Sequence, residues 1–285
     1  THTITATYSA LTYTITYNNN NGTGSRAAGS YTTGGAVLTL ADGTGFSKTG
    51  YTFGGWSTTQ NNAATIITTY STPASITVYA IWVGITNTVT YNNNGGIGSR
   101  DIGSYTTGGT ALTLADGTGF SKTGYTFGGW STTQNDPSTI KTTYSSSASI
   151  SVYAIWTANT LAITYDSQGG TSVSAGTSTT GGSISSAPTA PTKAGYSLSG
   201  WSTTSSGSLI TYPYTHGQTV SFTLYAIWST KTYTLTYYYN GATGGNSTAS
   251  ATYTTGSTAI TLPTPTKTSH IFAGWYSEVA LTNSI

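Results

Sequence analysis

Residues 51–57 read Tyr-Thr-Phe-Gly-Gly-Trp-Ser, and this segment decides the fold. The two-residue period of a β-strand puts Tyr51 and Phe53 on one face and would leave Trp56 on the other. We expect a β-bulge at the glycine pair to turn the indole back to the apolar face, because glycine permits the backbone angles that a bulge requires. The segment therefore predicts a strand that contributes aromatic side chains to a core.

The chain repeats itself around this segment. Residues 31–61 reappear as residues 105–135, with changes only at Ala36 and Val37. The Gly-Trp pair occurs four times, spaced 74, 71 and 74 residues apart, at Trp56, Trp130, Trp201 and Trp275. A Tyr-Ala-Ile-Trp ending occurs at 79–82, 153–156 and 225–228. This period predicts a tandem array. Its predicted parts are a spare strand, 1–10, and four repeats, 11–84, 85–158, 159–230 and 231–285.

Each repeat is predicted to consist of strands. Apolar residues alternate with threonine in the opening segment, which is typical of a strand with one buried face. These residues are Leu11, Tyr13, Ile15 and Tyr17 in the first repeat, and Tyr233, Leu235 and Tyr237 in the fourth. The closing strand places Val78, Ala80 and Trp82 on one face. No convincing amphipathic helix occurs, so the predicted fold class is mainly β.

The order of these motifs resembles the Listeria–Bacteroides repeat, also known as the internalin B-repeat. The clearest matches run from Pro-Thr-Lys to Gly-Trp, at Pro191–Trp201 and Pro265–Trp275. The resemblance implies a β-grasp-like module used in tandem, as a stalk or adhesive element, in secreted or wall-attached bacterial proteins. It implies no catalytic residue. We therefore expect an elongated string of four small modules located outside the cell, at its surface.

The composition excludes several functional classes. Charged residues make up 5% of the chain, against about 25% in ordinary soluble domains. No basic cluster is present that would attract nucleic acid or an anionic membrane. The absence of cysteine excludes disulfides and thiolate metal sites. No apolar run approaches the roughly twenty residues that cross a bilayer, so no membrane insertion is expected in this segment. Because the chain begins at Thr1 and lacks methionine, we expect a processed N-terminus.

The two ends of the chain suggest a strand exchange. Residues 1–9 match a closing strand in type and phase, with Ile4, Ala6 and Tyr8 in the places of Val78, Ala80 and Trp82. The first three repeats need 26 or 27 residues from the Gly-Trp tryptophan to the closing tryptophan, whereas ten follow Trp275. Donation of residues 1–9 to the fourth repeat of another copy would restore its ladder and core. The predicted acceptor residues are Tyr233, Leu235, Tyr237, Phe272 and Trp275.

The predicted function is that of a structural subunit of an extracellular filament or pilus-like fibre, a homopolymer assembled by donor-strand complementation. Three alternatives stay open: an adhesin that binds host or neighbouring-cell ligands, a stalk segment excerpted from a longer repeat protein, and closure of the chain on itself. The histidines fall at unrelated repeat positions and the carboxylates are scattered, which indicates a protein without catalytic, cofactor or metal sites. Asn21 and Asn246 begin possible N-glycosylation tripeptides.

Overall fold

The structure, a computed structural model, describes residues 1–242 and 250–277. Thr1–Thr157 and Ala158–Ile285 form two compact units. Within the described ranges the helices are two single-turn 3₁₀ helices, Ala63–Thr65 and Pro137–Thr139, and the regular structure is otherwise β. The mainly β fold predicted from the two-residue periodicity is confirmed.

The first unit contains repeats one and two. Repeat one is made of β1 (Thr12–Asn18), β2 (Gly29–Thr32), β3 (Leu38–Thr39), β4 (Tyr51–Ser57), β5 (Ile66–Ile67), β6 (Thr69–Tyr70) and β7 (Ile76–Gly84). Repeat two is made of β8 (Thr86–Asn92), β9 (Gly103–Thr106), β10 (Leu112–Thr113), β11 (Tyr125–Ser131), β12 (Ile140–Lys141), β13 (Thr143–Tyr144) and β14 (Ile150–Ala158). Their five-stranded sheets have the orders β2-β1-β7-β4-β5 and β12-β11-β14-β8-β9, and two short pairs, β3-β6 and β10-β13, accompany them.

The second unit contains repeats three and four. Repeat three is made of β15 (Thr160–Asp166), β16 (Gly176–Thr179), β17 (Ser183–Ile184), β18 (Tyr196–Ser202), β19 (Tyr214–Thr215) and β20 (Phe222–Thr230). Its main sheet has the order β16-β15-β20-β18, and β17 pairs with β19. In the described part of repeat four, β21 (Thr232–Thr236) pairs antiparallel with β22 (Ser250–Thr254).

Each complete sheet is mixed, as in the β-grasp-like module that the sequence motifs imply. The opening strand β1 runs parallel to the closing strand β7, and both have antiparallel neighbours on their other sides. Parallel neighbours need a long crossover connection. Here the crossover consists of the β3–β6 region with its short 3₁₀ helix. The closing strand consequently enters the centre of a sheet whose other strands precede it in sequence.

The predicted bulge in the Gly-Trp strand is confirmed. The pairing of β4 with β7 shifts register between Phe53 and Gly55, and the φ of Gly55 is 134°. The shift brings Trp56 to the apolar face, where 2% of the residue is exposed. Its indole Nε1–H donates to the Ala41 carbonyl over 2.7 Å, so the buried polar atom is satisfied.

A cluster of aromatic rings surrounds the buried indole of repeat one. Phe46 and Phe53 each lie 5.1 Å from Trp56 between ring centroids, in edge-to-face geometry, and Tyr17 lies at 4.8 Å. Phe46 occupies the position that Pro191 fills in repeat three, two residues before the recurring lysine, and both residues are buried. Packing against the indole therefore explains how the first two repeats accept a sequence that departs from the Pro-Thr-Lys pattern.

We predict that Gly55→Ala destabilises repeat one by about 1–3 kcal/mol, the usual cost of a strained backbone conformation. A Cβ at this position would also lie 2.9 Å from Ile66 Cγ2. The matched control is Gly217→Ala, because a Cβ there meets no atom within 4 Å. Urea denaturation of the full chain, followed by tryptophan fluorescence, measures both variants. Equal midpoints for the parent and Gly55→Ala would contradict the role assigned to the bulge.

Repeat three buries an ionisable side chain, His216, of which 3% is exposed. The Gln218 N–H donates to Nδ1 over 3.3 Å, so Nε2 carries the proton and donates to Ser178 Oγ over 2.9 Å. Burial lowers the pKa of His216 below its ordinary value of 6.5. The neutral ring is thus the form that the folded repeat accommodates.

We predict that the stability of repeat three falls as the pH is lowered below about 6.5, because the unfolded chain binds a proton there and the buried ring resists it. Above that pH both states are neutral and the contribution is fully present. Thermal denaturation between pH 8 and pH 5 tests this, with His216→Gln as the variant whose pH dependence is reduced. A parent and variant with the same pH profile would rule the histidine out as its cause.

Candidate functional site

The closing strand completes the sheet in each of the first three repeats. In repeat one, β7 lies between β1 and β4, and its residues Val78 and Ala80 are fully buried. Both neighbouring strands place backbone N–H and C=O groups along the edges that β7 covers. A repeat without such a strand would leave these groups unpaired and one side of its core open to water.

The closing strand has the same register on the parallel edge in all three repeats, and on the antiparallel edge in repeats one and three. In repeat one Val78 lies beside Tyr17 on the parallel edge, and Ala80 faces Trp56 on the antiparallel edge. The equivalent pairs are Val152–Tyr91, Leu224–Tyr165 and Ala226–Trp201. These pairs define which residue of the closing strand lies beside which residue of its neighbours in a complete repeat.

An asparagine in the turn after the opening strand holds the closing strand in place by a side-chain hydrogen bond, and we call its amide the fastening amide. Asn20 has a φ of 45° and is buried, and its amide donates to the Ala80 carbonyl over 2.9 Å and to Asn61 Oδ1 over 2.8 Å. Gln60 donates back to Asn20 Oδ1 over 3.0 Å. The equivalent bonds run from Asn94 to the Ala154 carbonyl and from Gln168 to the Ala226 carbonyl. Sequence reasoning missed this contact, although asparagine is enriched at positive φ and the turn is rich in it.

A serine hydroxyl just before the closing strand makes a second recurring contact. Ser75 Oγ accepts the N–H of Thr14, in the opening strand, over 3.0 Å. The equivalent bonds are Thr88 to Ser149 and Ala162 to Ser221, each over 2.9 Å. The closing strand is thus held at its start by a hydroxyl and at its middle by an amide.

Repeat four brings three of its five predicted acceptor residues together. Trp275 lies 5.4 Å from Tyr237 and 5.8 Å from Phe272 between ring centroids. Its Nε1–H donates to the Pro263 carbonyl over 2.8 Å, as Trp56 does to Ala41. Of the other two, Tyr233 stacks on Tyr253 in β22, and Leu235 lies in β21, two residues before Tyr237. The aromatic arrangement of a complete repeat is thus present here.

The closing-strand side of repeat four is uncovered within the described residues. No third strand flanks β21 there. Trp275 and Leu235 are half-buried, whereas their equivalents Trp56 and Ile15 are 2% and 0% exposed. Phe272 is 39% exposed. A strand edge and an apolar face are accordingly accessible at the same place.

The turn that would fasten a closing strand is already formed in repeat four. Asn240 has a φ of 47°, close to the 45° of Asn20, and its carbonyl accepts the ammonium of Lys267 over 3.2 Å. Lys193 donates to the carbonyl of Gln168 in the same way over 2.8 Å. The Asn240 side chain is exposed and forms no hydrogen bond to another described residue. Within the described part of the chain the fastening amide therefore has no partner.

The predicted donor residues are exposed. Residues 1–11 form no strand in the structure, since a strand requires a partner for its backbone N–H and C=O groups. Ile4 and Tyr8 are 96% and 94% exposed, and Ala6 is exposed as well. Two apolar side chains on the same strand phase are therefore in contact with water.

Among the described residues, two surface ion pairs form. Arg26 lies 3.5 Å from Asp42, and Arg100 lies 3.5 Å from Asp116. The Thr44 hydroxyl and N–H, followed by Arg26, lower the pKa of Asp42 below its usual value. Within residues 1–242 and 250–277, no group of three or more His, Asp or Glu side chains could hold a metal ion. The same ranges contain no helix long and apolar enough to span a membrane.

One of the two possible glycosylation residues lies within the described part of the chain. Asn21 is exposed at a positive φ of 65° in the turn after β1. Asn246 lies outside the described residues.

The repeats match one known family throughout. The model of the Listeria-Bacteroides repeat domain matches residues 13–81, 88–155, 162–227 and 233–285. The chain belongs to the Listeria-Bacteroides repeat family. The family resemblance inferred from the Gly-Trp and Tyr-Ala-Ile-Trp motifs is confirmed, and the fourth match includes the uncovered repeat.

Two curated relatives come from Evansella cellulosilytica. One, provisionally named a Gly-rich membrane protein, is 27% identical over 271 residues, which cover 88% of this chain and 30% of the relative. The other, provisionally named a membrane protein, is 30% identical over 209 residues, which cover 71% of this chain and 30% of the relative. The chain thus spans less than a third of the length of these two relatives.

We predict that Asn20→Ala destabilises its repeat by about 1–3 kcal/mol, because it leaves the carbonyl of the buried Ala80 without its side-chain hydrogen-bond partner. Asn240→Ala is the matched variant. It has the same type of turn, and its side chain forms no bond to the described residues, so we expect less than about 1 kcal/mol in the unassembled chain. Urea denaturation compares the two, and equal losses would show that backbone conformation alone matters.

Proposed function

We propose that this chain is an extracellular structural protein that polymerises by strand donation. Residues 1–9 of one copy supply the closing strand of repeat four in another copy. The proposal rests on one observation: within the described residues, β21 has no strand beside it and Trp275 is only half-buried at the place where the other three repeats hold a closing strand. The family membership and the membrane-protein names of the relatives support a location at the cell surface.

The donor has the side-chain chemistry of the strand that it would replace. Ile4 takes the place of the fully buried Val78, and Ala6 that of Ala80, whose small side chain faces the indole. Burying an isoleucine that is otherwise exposed stabilises a complex by about 1.5–3 kcal/mol. The donated backbone would also pair the free edge of β21, which is the principle of β-strand addition.

The arrangement of donor and acceptor favours a filament over a closed dimer. The donor precedes repeat one and the acceptor is repeat four, so the contact joins two different surfaces. A heterologous contact of this type continues from copy to copy unless its rotation closes a ring. With 5% charged residues the interface would depend on apolar burial and backbone pairing, so assembly would depend little on salt.

A second function has one observation in its favour. The chain covers 30% of the length of each of the two relatives, as a stalk or adhesive segment of a longer surface protein would. In that arrangement neighbouring repeats of the same polypeptide would supply the closing strand of repeat four. The chain would then act as a spacer or would present a ligand-binding repeat.

Electron microscopy of the intact chain beside a variant lacking residues 1–9 tests strand donation. We predict long filaments from the intact chain and single particles from the deletion variant. Restoration of filaments by an added peptide with the sequence of residues 1–9 is not expected, because the peptide would cap repeat four without linking copies. Single particles in both samples would exclude polymerisation and favour the stalk. Filaments in both samples would show that another surface assembles the chain.

A further inference from the structure

Adjacent repeats are joined by one residue that is hydrogen-bonded to both. In the first unit, β7 ends at Gly84 and β8 begins at Thr86, so Ile85 alone connects them. Its N–H donates to the Gly50 carbonyl of repeat one over 2.9 Å, and its carbonyl accepts the Thr107 N–H of repeat two over 3.0 Å. The joint between these two repeats is therefore fixed by one hydrogen bond to each of them.

The second unit forms a similar joint between repeats three and four, in which the Gly195 carbonyl is the shared acceptor. Lys231 connects β20 to β21, and its N–H donates to the Gly195 carbonyl over 2.9 Å. The Thr255 hydroxyl of repeat four donates to the same carbonyl over 2.7 Å. Gly50 and Gly195 both have a positive φ, 78° and 80°, which turns their carbonyls toward the connecting residue.

Each end of the chain carries half of such a joint. Leu11 precedes β1 as Ile85 precedes β8, and its carbonyl accepts the Thr33 N–H over 2.9 Å. Leu11 is 66% exposed. In repeat four, Ser269 takes the position of Gly50 and Gly195, with a φ of 61°. Repeat one thus presents the second half of a joint, and repeat four presents the first.

We propose that the contact between copies reproduces the joint between repeats, with the register that the internal closing strands define. This inference deepens the strand-donation function and rests on it. The Leu11 N–H donates to the Ser269 carbonyl of the next copy. On the parallel edge Ile4 lies beside Tyr237, and on the antiparallel edge Ala6 faces Trp275 and Thr5 faces Tyr276.

In the same register, the Asn240 amide and the Thr234 N–H of repeat four both acquire hydrogen-bond partners on the donor strand. Ala6 takes the place of Ala80, so its carbonyl accepts the Asn240 amide. Thr1 takes the place of Ser75, so its hydroxyl accepts the N–H of Thr234. Both contacts join positions that are equivalent to bonded positions in the three complete repeats. The donor is therefore fixed along its length and cannot slide by two residues without losing both bonds.

One substitution distinguishes this joint from the internal ones. A Cβ at Gly195 would lie 2.3 Å from Thr255 Oγ1, and a Cβ at Gly50 would lie 2.6 Å from Ser147 Cβ and 2.9 Å from Thr107 Cγ2. Ser269 carries that Cβ, so Pro73 and Thr33, the residues of repeat one that are equivalent to Ser147 and Thr107, must shift in the joint between copies.

Disulfide trapping tests the register, since the parent chain contains no cysteine. The variant Thr5→Cys/Tyr276→Cys places two thiols at facing positions of neighbouring copies, within the 4.4–6.8 Å between Cα atoms that a disulfide requires. The control Thr7→Cys/Tyr276→Cys keeps the same strand face but shifts the donor thiol by two residues, to a diagonal distance of about 7–8 Å. Filaments of both variants are oxidised and analysed on non-reducing gels.

We expect a ladder of covalent multimers from the first variant and its loss in the control. Filaments that give a ladder only in the control, in both variants or in neither would overturn the proposed register while leaving polymerisation in place. The undeleted parent chain is imaged in parallel. If it forms no filaments, strand donation itself fails, so the two failures are distinguishable.

Discussion

The stability of each repeat depends on burying one indole beneath a strand that arrives last in the sequence. Trp56 reaches the core only because a bulge reverses the strand phase, and it is covered only when β7 has entered between β1 and β4. The aromatic rings of Tyr17, Phe46 and Phe53 pack around that indole. With so few charges in the chain, apolar burial and backbone pairing are what hold such a module together.

Much of this architecture could be predicted from local patterns. The alternation around Ile15 and the glycine pair before Trp56 each specify a face, because the two-residue period makes a single register consistent with a buried side. Repetition then extends one prediction to four repeats.

Contacts between distant polar residues could not be predicted. The bond from Asn20 to the Ala80 carbonyl joins positions sixty residues apart, and a single sequence contains no signal that pairs them. For the same reason the sequence does not predict the ion pair between Arg26 and Asp42 or the serine contact at Thr14. Phe46 was obscured by its setting in a glycine-rich loop, where its packing on Trp56 depends on the folded crossover. The chemical type of each side chain follows from the sequence, whereas the contacts between distant side chains do not.

The parallel pairing of β1 with β7 has a mechanical consequence. The chain enters a repeat at the start of β1 and leaves it at the end of β7, and these points lie at opposite ends of the paired strands. A tensile force between them acts along the strand axes, so it loads the hydrogen bonds of the pair together in shear and does not open them one at a time. Extension of the module then requires the closing strand to slide out of the centre of the sheet, with Val78 and Ala80 leaving the core in the same step.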